Sequence, residues 1–337
     1  QCHARLTGQG IDLSAYTTLS DAADMHDLIY ALGYRQADLY GVSYGTRLAL
    51  ELMRTYPGDI RSVVLDSTFP PQVNLWTTYG PDMAHIFGVL THGCAVDSAC
   101  DAKYPHLDTT LNTLIVRLNA HPITFMADDA EHFRSYTVLF KGIDFATLLF
   151  SAFYLTGFIP QIPQLIAEVS QGKYDDLLAE FDGDLNFSDG VSWGTFYSFE
   201  CAEDVPFMTP ATLATADQSF PAPIRADEDV GQQAAFGECQ RWGVTKAADG
   251  EKAPVVSDIP TMVLEGEYDP VTPPSQGDLV AQTLKNSVIF RFPAMGHGVF
   301  IYNFTPCASQ IFQAFVDHPQ QKPDGSCTTR LPEPAFT

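Results

Sequence analysis

The pentapeptide Gly41-Val-Ser-Tyr-Gly45 sets one serine between two glycines, a spacing that suits nucleophilic catalysis. It falls between a short strand candidate at 37–41 and a helical pattern over 46–56, with apolar residues at Leu48, Leu52, Met53 and Tyr56. A strand that runs straight into a helix turns so tightly that Gly41 and Gly45 are needed where a Cβ would clash. The same turn lifts Ser43 Oγ above the sheet. The helix N-terminus behind it favours developing negative charge, and the backbone N–H of Tyr44 is placed to donate to an oxyanion.

A serine hydroxyl is a poor nucleophile at neutral pH and needs a base, itself oriented by an acid. Where such a turn carries the nucleophile, the acid and then the histidine follow along the chain. Of the nine histidines, only His297 and His318 lie after the last strand pattern. His297 stands in Met295-Gly-His-Gly298, where small neighbours allow a close approach, whereas His318 lies among Pro and Gln. His85, His92, His106, His121 and His132 read as surface or packing residues, and His3 and His26 precede the serine; His297 is the base. Asp269, just past the strand at 261–265 and before Pro270, is the favoured acid, because its spacing from His297 fits an acid, helix, strand, base succession. Asp66, at the tip of the strand at 62–66, is the rival, with capping of the following turn as its structural reading. Glu265 and Glu267 are weaker rivals.

The elements around these residues alternate. Ser20 with Asp21 and Asp24 starts a helix over 20–32, which Gly33 stops, and the strand, helix and strand at 37–41, 46–56 and 62–66 follow. The alternation resumes with strands at 261–265 and 288–292 and helices at 275–284 and 306–316. Such alternation predicts an α/β architecture with a mostly parallel sheet. Between lies a stretch rich in aromatic residues, Pro and Gly that reads as a mostly helical lid, giving core segments at 1–74 and 255–337 around an insertion at 75–254. The apolar run 145–159, bounded by Asp144 and Pro160, is shorter than the ~20 residues a membrane span needs and reads as a buried helix.

The 337 residues carry 41 acidic against 18 basic side chains, a net charge of −23 that repels phosphate backbones and anionic lipid and excludes nucleic acid as a partner. Three cysteine couples, Cys94 with Cys100, Cys201 with Cys239 and Cys307 with Cys327, lie close in sequence or in matching contexts, leaving Cys2 alone. Closing these loops with disulfides would suit an oxidising, extracytoplasmic compartment. The segment 181–190 faintly resembles a calcium loop, but Phe187 and Trp193 stand where glycine and glutamate belong, so it reads as a solvated turn. Sequons at Asn186 and Asn303 are short enough to arise by chance.

The segments Leu39-Tyr-Gly-Val-Ser-Tyr-Gly-Thr-Arg-Leu-Ala-Leu50, Ile60-Arg-Ser-Val-Val-Leu-Asp-Ser67, Cys201-Ala-Glu-Asp-Val-Pro206, Gly266-Glu-Tyr-Asp-Pro-Val-Thr-Pro273 and Gly296-His-Gly298 resemble the α/β-hydrolase superfamily. Within it they are most similar to the tripeptidyl-aminopeptidase-like branch of the proline iminopeptidase (S33) serine peptidases. The resemblance implies an α/β-hydrolase fold, Ser43, Asp269 and His297 as a triad, disulfide-bearing secreted enzymes, and release of residues from peptide N-termini without a cofactor. It also makes Cys-x-Glu-Asp a recurring element, so that Glu203 and then Asp204 are candidates to hold a substrate ammonium. Enzymes of this kind carry earlier strands and a Gly-rich loop that supplies a second oxyanion donor. The expectation is therefore that a preceding segment or companion chain, reached through Cys2, completes the sheet. The leading reading is an exo-aminopeptidase acting through an acyl-enzyme on peptide or small ester substrates. A carboxylesterase with the same triad and a non-catalytic subunit are the alternatives.

Overall fold

The computed structural model describes residues 1–129, 134–177, 191–302 and 305–337. The segment at 181–190 and the sequons at Asn186 and Asn303 lie wholly or partly outside the described residues, as does His132. The chain opens with α1 (Cys2–Gly8) and α2 (Thr18–Ala31), and then runs β1 (Ala37–Ser43), α3 (Tyr44–Thr55) and β2 (Ile60–Thr68). After a long excursion it returns through β5 (Thr261–Gly266), a helix at Pro274–Ala281, β6 (Ser287–Phe292) and a closing helix at Pro306–Asp317. Strands β1, β2, β5 and β6 form one parallel sheet in the order β1-β2-β5-β6.

Parallel strands are covered on both faces, so their interior members read as continuous apolar runs. Val63 and Leu65 of β2 and Val263 of β5 pack with Ala22 of α2 and with Leu50 and Met53 of α3 on one face. The alternate residues, Val64, Met262 and Leu264, meet Ile311 and Phe315 of the closing helix on the other. Because all four strands run the same way, Ser43, Asp66, Asp269 and the loop of His297 all lie at their carboxyl ends.

The excursion contains α4 (Leu75–Val96), α5 (Ser98–Lys103), α6 (Leu107–Ala120), α7 (Gly142–Ala152) and α8 (Ile162–Ser170), then α9 (Trp193–Phe199), α10 (Pro210–Asp217) and α11 (Arg225–Trp242). Its largest core joins Ile86 and Leu90 of α4, Leu114 and Ile115 of α6 and Phe145 and Leu149 of α7, and extends to Tyr268 and Val271 beside the candidate acid. Three points differ from the sequence reading. An antiparallel hairpin, β3 (Ile123–Asp129) with β4 (Arg134–Phe140), stands within the stretch expected to be mostly helical. Its Ile123, Phe125, Val138 and Phe140 turn towards the core while Met126 and Leu139 are exposed, the period of two that marks a half-buried strand. The apolar run 145–159 is helical only to Ala152, and the chain then turns through Thr156 and Gly157. The helix expected over 275–284 ends at Ala281.

Disulfides join Cys94 to Cys100, Cys201 to Cys239 and Cys307 to Cys327, and Cys2 is free. No helix among the described residues is long and apolar enough to cross a membrane.

Candidate active site

Ser43 ends β1 and caps α3 with φ of 56°, in the left-handed region that non-glycine residues rarely occupy. A Cβ on Gly41 would lie 2.3 Å from the carbonyl oxygen of Gly45, so only glycine fits there. The clash expected at Gly45 is absent: outside its own helix, nothing lies within 4 Å of the position its Cβ would take. Thr46 Oγ1 donates to the Ser43 carbonyl at 2.6 Å and accepts from the Phe69 N–H at 2.7 Å, tying the turn to the end of β2. The Tyr44 N–H opens α3 beside Ser43, while the Tyr44 ring lies 4.6 Å from Phe199 and its hydroxyl bonds Thr18.

Asp269 is fully buried at the turn after β5. One carboxylate oxygen accepts from the N–H groups of Val271 and Thr272 at 3.1 and 2.9 Å, and the other accepts from Thr272 Oγ1 at 2.8 Å. His297 Nδ1 reaches the two oxygens at 3.1 and 2.9 Å, with Thr272 Oγ1 at 3.3 Å. This bond engages Nδ1 and leaves Nε2 as the ring nitrogen for a substrate or nucleophile. Burial would raise the Asp269 carboxyl, but the charge and hydrogen bond of His297 hold it below its ordinary value. Burial would lower His297, but the Asp269 carboxylate beside it holds the imidazole above its ordinary value. The Tyr154 ring packs 4.8 Å from the imidazole. No hydrogen bond among the described residues joins Ser43 Oγ to His297, a link that in free enzymes often tightens only with substrate. Ser43 pairs with Thr68, and the N–H of Gly298 donates to Ser67 Oγ at 2.8 Å, so the end of β2 adjoins both.

The rival acids lie elsewhere. Asp66 is buried, but its oxygens accept from the Val299 and Phe300 N–H groups and the Tyr40 hydroxyl and make no bond to the imidazole. Its capping role is thus on the loop that follows His297, not on its own turn. Glu265 is buried against Gly277, where burial pushes its carboxyl well up, and Glu267 is exposed, as is His318.

Glu203 and Asp204, the expected ammonium ligands, both have partners within the chain. They lie in a π-helical turn, Glu200–Asp204, fixed by the Cys201–Cys239 bond, and both are buried. Glu203 accepts from Thr18 N and Thr18 Oγ1, both at 2.6 Å, and so holds the first turn of α2. Asp204 pairs with Arg47 of α3 at 3.2 Å and with Lys252 at 2.5 Å. Asp204 is thus matched by two cations, while Glu203 is met by hydrogen-bond donors of Thr18 and burial raises its carboxyl. Beside them Glu200 accepts from Trp76 Nε1 at 2.5 Å. Burial and then the Asp204 charge push the Glu200 carboxyl up to about 8.

The sequence reading missed Thr18, Arg47, Ser67, Tyr154 and Thr272. Thr272 was within reach, since Asp-Pro-Val-Thr is the pattern of a turn in which Asp accepts from the N–H groups that follow. The others are brought in by long-range packing and carry no local signal.

Residues 5–100 match the family described as alpha/beta hydrolase fold, and residues 227–327 match the family described as TAP-like protein. The chain has the α/β-hydrolase fold, with a TAP-like region at 227–327. Its curated relatives include the serine protease Hip1 of Mycobacterium tuberculosis and that of Mycobacterium bovis, each 20% identical over 326 residues and matched across 92% of this chain. The chain spans 61% of the length of these relatives. Similar solved structures include MGS-M2, an alpha/beta hydrolase enzyme from a Medee basin deep-sea metagenome library, at 16% identity and a TM-score of 0.39, covering 92% of this chain and 74% of that one. A bromoperoxidase from Bacillus anthracis matches at 14% identity and a TM-score of 0.39, covering 90% of this chain and 75% of that one.

Proposed function

We propose that the protein is a serine hydrolase in which Ser43 attacks a carbonyl carbon, His297 takes the serine proton and returns it to the leaving group, and Asp269 holds the imidazole. The Tyr44 N–H donates to the oxyanion of the tetrahedral intermediate. An acyl-enzyme on Ser43 forms and is released by water that the same histidine activates. The observation that supports this most is the buried Asp269–His297 pair at 2.9 Å, on the same sheet rim as a serine held at φ of 56°.

The finer reading is an exo-aminopeptidase, supported by the resemblance to tripeptidyl-aminopeptidases and by the protease among the relatives. A companion segment or chain would supply the second oxyanion donor, and disulfides favour an extracytoplasmic site of action. The engagement of Glu203 by Thr18 and of Asp204 by Arg47 and Lys252 favours the second reading, a carboxylesterase, because neither carboxylate is presented to an ammonium group. Peptide anilides with free and acetylated N-termini, assayed beside a p-nitrophenyl ester, decide between them. Turnover of the free-amine peptide alone supports the exopeptidase; turnover of the ester with neither peptide supports the esterase. Inertness to all three and to a fluorophosphonate would sink the hydrolase reading.

A further inference from the structure

Three successive amides follow His297, and the end of β2 meets each. The Gly298 N–H donates to Ser67 Oγ at 2.8 Å, the Val299 N–H to Asp66 Oδ1 at 2.7 Å and the Phe300 N–H to Asp66 Oδ2 at 2.9 Å. We propose that Asp66 and Ser67 are positioning residues for His297, which fix the backbone that carries the imidazole while Asp269 fixes its ring. The inference rests on the hydrolase reading for its catalytic meaning, but its geometry does not.

Several observations converge on it. Asp66 and Ser67 are fully buried, where an amide without an acceptor is costly, so these bonds are hard to exchange for water. Tyr40 donates its hydroxyl to Asp66 at 2.7 Å, and its ring stands edge-on to Phe300 at 5.7 Å, so the residue that orients the carboxylate also packs on the loop it holds. Ser67 sits at φ of 58°, a strained conformation that persists only where surrounding contacts require it. The Ser67 hydroxyl accepts from Gly298 and also helps hold the Asp269 carboxyl down, so one side chain stands between the acid and the histidine loop. The groups that face the imidazole are the Asp269 carboxylate from the turn after β5, the Asp66 carboxylate from β2 and the Tyr154 ring from the turn after α7.

The test uses Asp66→Asn and Ser67→Ala in the full chain, with Asp269→Asn as reference. It reads amide hydrogen exchange at 298–300, the NMR titration of His297 and the rate of fluorophosphonate labelling. An asparagine offers one acceptor and turns a donor towards an amide. Asp66→Asn should therefore lose protection at Val299 or Phe300 while keeping Gly298, and Ser67→Ala should show the reverse. The titration of His297 should move to lower pH in Asp66→Asn, because a nearby negative charge is lost, a change that a purely structural role would not produce. Labelling should fall at least about tenfold, since misplacing a catalytic group by ~1 Å costs on the order of a hundredfold. Folded variants with wild-type exchange and an unmoved His297 titration would overturn the proposal. So would an Asp66→Asn loss equal to that of Asp269→Asn with exchange unchanged, which would make Asp66 the acid. If Asp66→Asn does not fold, Ser67→Ala alone decides by the exchange at Gly298. If the wild type does not label, the hydrolase reading fails while exchange and titration still judge the positioning role.

Discussion

Arg47 and Asp204 meet at 3.2 Å with both side chains sealed from solvent, so the helix that begins at the candidate nucleophile is locked to the π-helical turn of the excursion. The Arg47 guanidinium also donates to the Val73 carbonyl at 2.7 Å, and Lys252 supplies a second cation to the same carboxylate. Breaking a buried pair by removing one member typically costs about 3–5 kcal/mol. Asp204→Ala, which strands two cations, is expected to lose that much in urea unfolding. The paired replacement Arg47→Met with Asp204→Leu is expected to recover part of it. If Asp204 instead bound a substrate ammonium, its removal would raise KM and leave unfolding unchanged.

Ser43→Ala should abolish fluorophosphonate labelling and hydrolysis while the far-UV circular dichroism and melting temperature stay near wild type, since Ser43 Oγ lies at the rim and holds no internal bond among the described residues. Persistent labelling of this variant would place the nucleophile elsewhere.

Asp269→Asn should cut kcat by roughly 10⁴, because an amide in that place favours the wrong imidazole tautomer. Asp66→Asn should cost far less. The ratio of the two losses, measured on one ester substrate, checks the choice of acid.

The pH profile follows from the pair. Only the neutral imidazole accepts the serine proton, and Asp269 holds His297 above its ordinary value, so the acid limb of kcat/KM should fall above the ordinary histidine value of about 6.5. For stability the signs differ. The raised His297 contributes fully below its unfolded value and loses that contribution as pH rises through its folded one. The lowered Asp269 contributes above its unfolded value and loses it as pH falls through its folded one. His297→Gln should therefore be most destabilising between these limits, and the gap to wild type should narrow on the alkaline side.

Glu200 gives an independent titration. Its carboxyl, pushed up to about 8 by burial and then by Asp204, is a group the folded state prefers protonated, so its ionisation erodes stability as pH rises from the ordinary glutamate range through 8. Glu200→Gln keeps an acceptor for Trp76 and carries no charge. The melting temperature of the variant relative to wild type should rise steadily from pH 4.5 to pH 9; a difference that does not change with pH would refute the assignment.

Gly41→Ala and Gly45→Ala should behave differently although both belong to one motif. A methyl on Gly41 meets the Gly45 carbonyl at 2.3 Å and should cost at least about 1–3 kcal/mol, whereas one on Gly45 meets open space. Thermal unfolding of the two variants checks it.

The core strands were legible because Val63-Val-Leu65 and Thr261-Met-Val-Leu264 are short, β-branched apolar runs set between helical patterns, as buried parallel strands are. Ser43, Asp269 and His297 stood out because each ends a strand or follows one within a few residues, and the sheet brings strand ends together whatever lies between. The hairpin was not legible, because its alternation at Ile123, Phe125 and Val138 is short and lies among helical patterns. The destination of Glu203 could not be read either. Its partner Thr18 is 185 residues away, and nothing in Cys-Ala-Glu-Asp announces whether a carboxylate will face a ligand or the end of a helix.

A last consequence lies at Gly296. A Cβ there would stand 2.0 Å from the Phe153 carbonyl oxygen, its N–H is held by Thr156 Oγ1 at 3.0 Å, and the next residue lies under the Tyr154 ring. The turn at 153–156 is thus a ceiling fastened to the histidine loop. Any displacement of this turn would therefore pull on Gly296 and disturb the register of His297 with Asp269, so the turn and the histidine loop act as one piece of structure.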